Sequence, residues 1–290
     1  MSTAPETLRL LRPGDELALE AFLARHAAGS MFLRANLRSA GLDDRGAVYQ
    51  GTYAAVLAGG AVVGVAAHYW NHMLVLQAPD GVERVAAAAV QASGRKVAGI
   101  LGPLAQARAA RQALGFAERA TTTDSGEVLF RLALDRLVVP AALAKGAVRF
   151  RRAAPAEHGL LAEWRMAYAQ ETFRREVSPA LGRASRAEVE QLAGEGALFV
   201  LEAEGVPVSC CSFNARLPDM VQIGGVFTPS QHRQRGHARA VVAGALLEAR
   251  RQGVAAAILF TGGDNEAAQR AYRGIGFEPV GDYAIILFAK

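Results

Sequence analysis

The sequence predicts an α/β protein made of two tandem domains, and three observations carry that prediction. The order of strand-like and helix-like segments before residues 138–146 repeats after them. Two matching pieces, ARQALGF (Ala110–Phe116) and AYRGIGF (Ala271–Phe277), close corresponding helices in the same way. In each, a glycine stops the helix and an aromatic opens the next stretch, a C-terminal cap with a packed return. Between the halves, LVVPAALAKG (Leu137–Gly146) reads as a junction. One strand ends there, Pro140 interrupts, and a new strand begins at Val148. The expected division is therefore a domain over 1–137, a linker over 138–146 and a domain over 147–290.

In the N-terminal half, β-branched and aromatic alternation marks strands at Thr52–Leu57, Ala61–Trp70 and Met73–Gln77. An Ala-rich helix follows near Val82–Ala92, then strand Val97–Leu101, helix Leu104–Leu114 and strand Val128–Leu134. In the C-terminal half, a helix is expected over Pro155–Phe173. Ala197–Glu204 and Val206–Asn214 read as strands joined at Gly205, and Met220–Thr228 as a third. A helix from Gly236 to Gln252 stops at Gly253. Strand Ala255–Thr261, helix Asn265–Ile275 and a closing strand at Tyr283–Phe288 complete the half.

Composition excludes several classes. Although 51% of residues are hydrophobic, the apolar stretches are short and broken by charges or by glycines such as Gly59, Gly60 and Gly64. No run offers the roughly 20 apolar residues needed to cross a bilayer. The N-terminus MSTAPETLRLLRPGDE lacks a basic-then-apolar export pattern, so the expected location is cytoplasmic. The only cysteines, Cys210 and Cys211, are adjacent, which suits neither an unstrained disulfide nor a zinc site. One is expected in the core and one on the opposite strand face, and no metal is expected. The formal charge of +5 fits an anionic ligand. Without a Lys/Arg run interleaved with aromatics, nucleic acid is not favoured as a partner.

The most informative stretch is VFTPSQHRQRGHAR (Val226–Arg239). A β-branched strand runs into Pro229, which cannot donate to a ladder and so ends the pairing. Arg233, Gln234, Arg235, Gly236, His237 and Ala238 then lead into a helix. A strand, a loop and a helix N-terminus in succession make an anion site, because the first N–H groups are unpaired and the helix dipole favours negative charge. Gly236 lets backbone approach a phosphate, small Ala238 keeps the first turn open, and Arg233, Arg235 and Arg239 add positive charge. The Gly-Lys-Ser/Thr ending of a P-loop is absent, and so is a spaced-glycine dinucleotide fingerprint.

Arg233-x-x-Gly236-x-Ala238 resembles the Gln/Arg-x-x-Gly-x-Gly/Ala signature of the GNAT acyltransferases. Asn265-x-x-Ala268-x-x-x-Tyr272-x-x-x-Gly276-Phe277 resembles that family's later motif, at the expected distance. The resemblance covers the whole C-terminal half in motif order. It implies mixed, mostly antiparallel twisted sheets flanked by helices, with a splayed parallel strand pair at the site. It implies acetyl-CoA as acyl donor, with Val226, Phe227 and Thr228 pairing to the pantetheine arm. The amides of Gln234 to Ala238, with Arg233, Arg235 and Arg239, would hold the pyrophosphate. Asn265 would sit beside the pantetheine, and Tyr272 would protonate the departing thiolate. The reaction implied is direct attack by a primary amine, of a small molecule or a peptide, in a ternary complex.

Glu171, Glu176 and Asp219 are candidates for the base by position only, and none is assigned. Cys210 as a covalent nucleophile has no His/Asp arrangement beside it. A non-catalytic acyl-CoA sensor or an interaction scaffold is the alternative reading; Tyr272 argues for an enzyme. The N-terminal half resembles a degenerate copy, with Arg111 in the place of Tyr272, Leu104 in that of Asn265, and Asp80 and Glu83 where a phosphate would rest. Walling the acceptor site, forming a homodimer and buttressing the fold are the roles left to it.

Overall fold

A computed structural model describes residues 6–289, which form two compact units: 6–129 with 280–289, and 130–279. The first unit begins with β1 (Glu6–Leu10), α1 (Glu16–Arg25) and α2 (Met31–Ala40). An antiparallel meander follows, of β2 (Gly51–Ala58), β3 (Ala61–Tyr69) and β4 (Met73–Gln77), with β1 paired antiparallel to β2. Helix α3 (Val82–Ser93) carries the chain over to β5 (Gly99–Pro103), parallel to β4. Helix α4 (Leu104–Ala113) and the long strand β6 (Thr121–Ala133) follow.

Helices cover both faces of this sheet, which explains why β2 is apolar from Tyr53 to Ala58 rather than alternating. Ala54 and Val56 join a core with Val85, Ala86, Ala89 and Ala107 of α3 and α4. Their neighbours Tyr53, Ala55 and Leu57 pack with Leu19, Phe22, Leu23 and Leu33 of α1 and α2 on the other face. The period-2 geometry of a strand divides one apolar run between two cores.

The second unit contains α5 (Ala141–Ala144), β7 (Arg149–Arg152), α6 (His158–Phe173), α7 (Pro179–Gly194), β8 (Leu198–Ala203), β9 (Val206–Arg216) and β10 (Met220–Phe227). Then come α8 (His237–Arg251), β11 (Ala256–Gly262) and α9 (Glu266–Arg273), before the chain leaves the unit in β12 (Glu278–Phe288). Strands β7 to β10 pair antiparallel in sequence order, and β11 lies parallel to β10. Helices α6 and α7 cover one face through Leu161, Trp164 and Val189, against Leu198, Val200, Cys210 and Phe227. Helix α8 presents Ala240, Val241, Val242, Ala243 and Leu246, all buried. At Gly244 of α8 a Cβ would clash with the edge of the Phe150 side chain, so glycine there trades helix propensity for close packing on β7.

The units depart from the division into 1–137 and 147–290. Residues Tyr283–Leu287 of β12 pair antiparallel with Pro103–Gly99 of β5, inside the first unit. The last residues of β6, from Phe130, belong to the second unit, where β6 neighbours β11. The Leu134 N–H there donates to the Ala255 carbonyl at 2.8 Å. Each unit is thus completed by a strand from the other half of the sequence. Alternation identifies a strand but says nothing about its partner, so this exchange leaves no mark in the pattern. Five further elements lay outside the sequence reading: β1, α1 and α2 in the first 40 residues, α5 in the expected linker, and α7. The expected strand Val128–Leu134 is the last part of the 13-residue β6.

No described helix is long and apolar enough to cross a membrane. Among the described residues no group of three His, Cys, Asp or Glu side chains is placed to hold a metal.

Candidate functional site

The site develops from a failure of pairing. Strands β10 and β11 are in register only at Met220–Ala256, Val221–Ala257 and Gln222–Ile258. Both continue for several residues beyond, and there they part. On its other edge β10 slips register against β9 between Gln222 and Ile223, and again between Gly224 and Phe227. The cause is local. Gly225 adopts the left-handed conformation (φ 55°), which re-aims the strand as a β-bulge does. A Cβ on Gly224 would overlap the Asn214 amide, and one on Gly225 would lie 2.5 Å from Arg165 Nη1. Two consecutive glycines therefore let β9 and α6 press on β10 and turn it away from β11. The result is a wedge with a main-chain wall, open from Ile223 to Phe227.

At the end of β10, Thr228 and Pro229 lead into a short 3-10 turn at Ser230–His232. Gln234 and Gly236 both lie at positive φ, 62° and 78°. Gly236 is the N-cap of α8, no side chain caps that helix, and its first turn carries no acidic residue. The first amides of a 15-residue helix are thus left for an external acceptor. Arg235 and Arg239 are exposed and form no ion pair among the described residues. Arg233 is turned differently: its Nε donates to the Thr228 carbonyl at 2.8 Å, and Nη2 reaches both oxygens of Glu171, at 2.9 and 2.7 Å. It fastens the loop to α6. His237 is buried with Nδ1 unpaired among the described residues, and burial holds its pKa below the ordinary value.

Across the wedge, the Asn265 side chain caps α9, accepting from the Ala268 N–H at 3.1 Å. Gln269 donates to the carbonyls of Gly262 and Gly263, fixing the turn after β11. One face of α9 carries Tyr272, which is buried against Phe130 and Phe277, with ring centroids 6.4 and 6.1 Å away. Its hydroxyl has no hydrogen-bond partner among the described residues. Burial raises its pKa, with smaller contributions from Tyr168 and Cys211, so the phenol stays protonated at neutral pH.

The three candidate bases separate. Glu171 is engaged by Arg233, Glu176 is exposed in the α6–α7 connection, and Asp219 lies beside Met220 at the closed end of the strand pair. Cys210 and Cys211 face opposite sides of β9, and both are buried. Burial pushes the Cys210 thiol up to about 12, which removes it as a nucleophile near neutrality.

On the α6–α7 side, a small cavity of about 20 Å³ lies under the bulge, lined by Leu161, Trp164, Arg165, Cys210, Gly225 and Phe227 among others. Sequence reasoning missed Arg165 and Glu188, which pair here between α6 and α7, with Nε to Oε2 at 2.7 Å and Nη2 to Oε1. The signal available was weak: an arginine beside Trp164 on a helix otherwise apolar on that face.

The first unit repeats part of this plan. Gly81 caps α3 at φ 67° without side-chain help, as Gly236 caps α8. A Cβ on either glycine would meet the Nη2 of the arginine three residues on, Arg84 or Arg239, at 3.3 Å. The differences lie in what surrounds the cap. Glu83 stands in the first turn of α3, and Arg84 is paired with Glu6 at 2.6 Å. Strands β4 and β5 remain in contact past their register, since a Cβ on Gly102 would stand 3.0 Å from the Leu76 carbonyl oxygen. Arg111 is spent on its own turn: it donates to the carbonyls of Phe116, Ala117 and Arg119 and pairs with Asp124.

Comparison with known proteins agrees with this geometry. Residues 160–277 match the model of the Acetyltransferase (GNAT) family. A GCN5-related N-acetyltransferase from Sphaerobacter thermophilus is similar over 98% of this chain and 96% of its own, with 16% identity and a TM-score of 0.57. One from Kribbella flavida is similar over 92% and 96%, with 19% identity and a TM-score of 0.57. A tandem GNAT protein from the clavulanic acid biosynthesis pathway is similar over 98% of each chain, with 16% identity and a TM-score of 0.54. At these identities the likeness shows the fold. No curated protein matches at the sequence level.

Proposed function

We infer that this chain, which has the fold of the GNAT acetyltransferases and their acetyl-CoA-dependent N-acetyltransferase activity, transfers the acetyl group directly to a primary amine within one ternary complex. The second unit is the working copy and the first a degenerate one. The observation that carries the reading is the parting of β10 from β11 after Gln222, followed at once by the uncapped N-terminus of α8.

The residues fit acetyl-CoA chemically. Main-chain groups of Val226, Phe227 and Thr228, released from pairing with β11, supply the pattern a pantetheine amide arm needs. Amides from Gln234 to Ala238 hold the pyrophosphate, with Arg235 and Arg239 contributing charge. Arg233 contributes by holding that loop in shape. Asn265 fixes the start of α9 and so the position of Tyr272, seven residues on. Strand amides at the bulge are placed to polarise the thioester carbonyl, where preorganised donors act most strongly on developing charge. Tyr272, kept protonated by burial, is the acid that protonates the departing thiolate. Acceptor and thioester held side by side gain most from position.

In the first unit, Glu83, the Arg84–Glu6 pair and the contact between Leu76 and Gly102 oppose the same use. That unit serves the fold.

Calorimetric titration with acetyl-CoA tests the reading. The wild type should show one site, and Gly236→Glu, which puts a carboxylate into the anion cradle, should lose it while remaining folded. Unchanged binding by the folded variant would remove the loop assignment.

A further inference from the structure

We propose that the amine acceptor carries a carboxylate one or two carbons from its nitrogen, and that the end-on edge of the Arg165 guanidinium binds it. The inference rests on the acyl-transfer reading above and names the substrate class of that site.

Arg165 lies in α6 with its side chain about one-fifth exposed. Glu188 of α7 takes its side-on edge, accepting from Nε and Nη2. A guanidinium has five N–H donors in a planar fork, and this pair consumes two of them. The end-on edge, formed by Nη1 and the second Nη2 hydrogen, is left over. Nη1 has no hydrogen-bond partner among the described residues. It is aimed at the bulge, so close that a Cβ on Gly225 would stand 2.5 Å from it. Ser212 Oγ shares the spot, 3.1 Å from the same point. The walls around the guanidinium are apolar: Leu161, Trp164, Leu198 and Phe227 line the cavity, and Tyr168 lies under the cation at 5.0 Å.

A structural arginine in such a place would use its donors on main-chain carbonyls, as Arg111 and Arg95 do. Arg165 instead spends half its fork on a partner that fixes its plane and holds the other half toward the point where β10 turns. Glu188 serves poorly as the amine's base, because both its oxygens already accept from a permanent cation; its role is to position Arg165. A planar pair of N–H donors beside a main-chain wall matches a carboxylate in bidentate geometry. With Nη1 lying against Gly225 of the bulge, the spacer proposed between nitrogen and carboxylate is a short one, of one or two carbons.

The test uses two probes that differ only in the charge at issue. The first is coenzyme A joined through sulfur to an acetylglycine unit (CoA–S–CH2–CO–NH–CH2–COO⁻). The second is the same conjugate ending in the glycine carboxamide. Affinities for both, and for acetyl-CoA, are measured by calorimetry on the wild type, Arg165→Gln and Arg165→Lys. The wild type should bind the carboxylate conjugate about tenfold or more tighter than the carboxamide. That ratio should fall close to one in Arg165→Gln and be only partly restored in Arg165→Lys, which keeps the charge and loses the fork. Acetyl-CoA affinity should stay unchanged in both variants and so reports that they are folded. Equal binding of the conjugates by a wild type that binds acetyl-CoA, or a preference that survives Arg165→Gln, overturns the inference alone. A wild type that binds neither conjugate nor acetyl-CoA overturns the acyl-transfer reading, and this inference with it.

Discussion

Arg233 of the loop between β10 and α8 grips Glu171 of α6 with one nitrogen on both carboxylate oxygens, at 2.9 and 2.7 Å, while its Nε holds the Thr228 carbonyl. The motif arginine thus shapes its loop. Both partners of the ion pair are about half exposed, which limits the pair to roughly 1 kcal/mol or less. Glu171→Gln should therefore weaken acetyl-CoA binding by no more than about fivefold, with the difference shrinking at high salt. A hundredfold loss in calorimetry would mean that Glu171 itself meets the substrate.

Gly236 faces a conformational demand more than a spatial one. A Cβ there would meet only the mobile end of Arg239, at 3.3 Å, but its φ of 78° disfavours any side chain. Gly236→Ala should lower stability by about 1–2 kcal/mol, the usual cost of a left-handed alanine. It should also weaken acetyl-CoA binding, as the cradle amides tilt. Paired melting and titration experiments check both; a variant as stable as the wild type would show that the loop relaxes at no cost.

Tyr272→Phe removes a hydroxyl with no partner among the described residues and leaves the Phe130 and Phe277 contacts in place. Stability and acetyl-CoA affinity should hold, while turnover drops by roughly ten- to ten-thousand-fold. Steady-state rates of thiol release measure it. An unchanged rate would mean that the thiolate departs without help.

His68 is fully buried in the first unit, its Nδ1 2.6 Å from Ser93 Oγ and its Nε2 without a partner among the described residues. Arg95 donates to its carbonyl and adds to the desolvation that lowers its pKa. The unfolded chain therefore takes up the proton first as pH falls below about 6.5. The stability from a neutral His68 is complete above that pH and is lost as pH drops toward the folded pKa. His26 and His237 act in the same direction. The melting temperature should fall as pH drops below about 6.5, and His68→Phe should flatten part of that slope. Identical slopes for both proteins would remove His68 from the account.

The exchanged strands make fragments informative. A piece starting at Ala147 lacks β6, and a piece ending at Leu137 lacks β12, so each leaves a strand edge unpaired. Each fragment alone should aggregate or melt far below the full chain, and co-expression should restore a soluble complex. A monomeric fragment of full stability would show the exchange to be dispensable.

The sequence by itself determined the local frame of the candidate site, because caps, turns and strand ends are set by adjacent residues. Pro229, Gly236 and Ala238 announce a strand, loop and helix start within a dozen residues, and Asn265 stands at the cap of the helix that carries Tyr272. Helices α3 and α8 fall within a residue or two of their expected ends for the same reason: caps and periodicity are written in adjacent residues. The tertiary structure decided what depends on distant partners. It turned Arg233 toward Glu171, 62 positions away, placed Arg165 over Gly225, and gave β12 to β5 and the end of β6 to the second unit. Such choices follow from packing and register between segments far apart in the chain, and no pattern within either segment contains them.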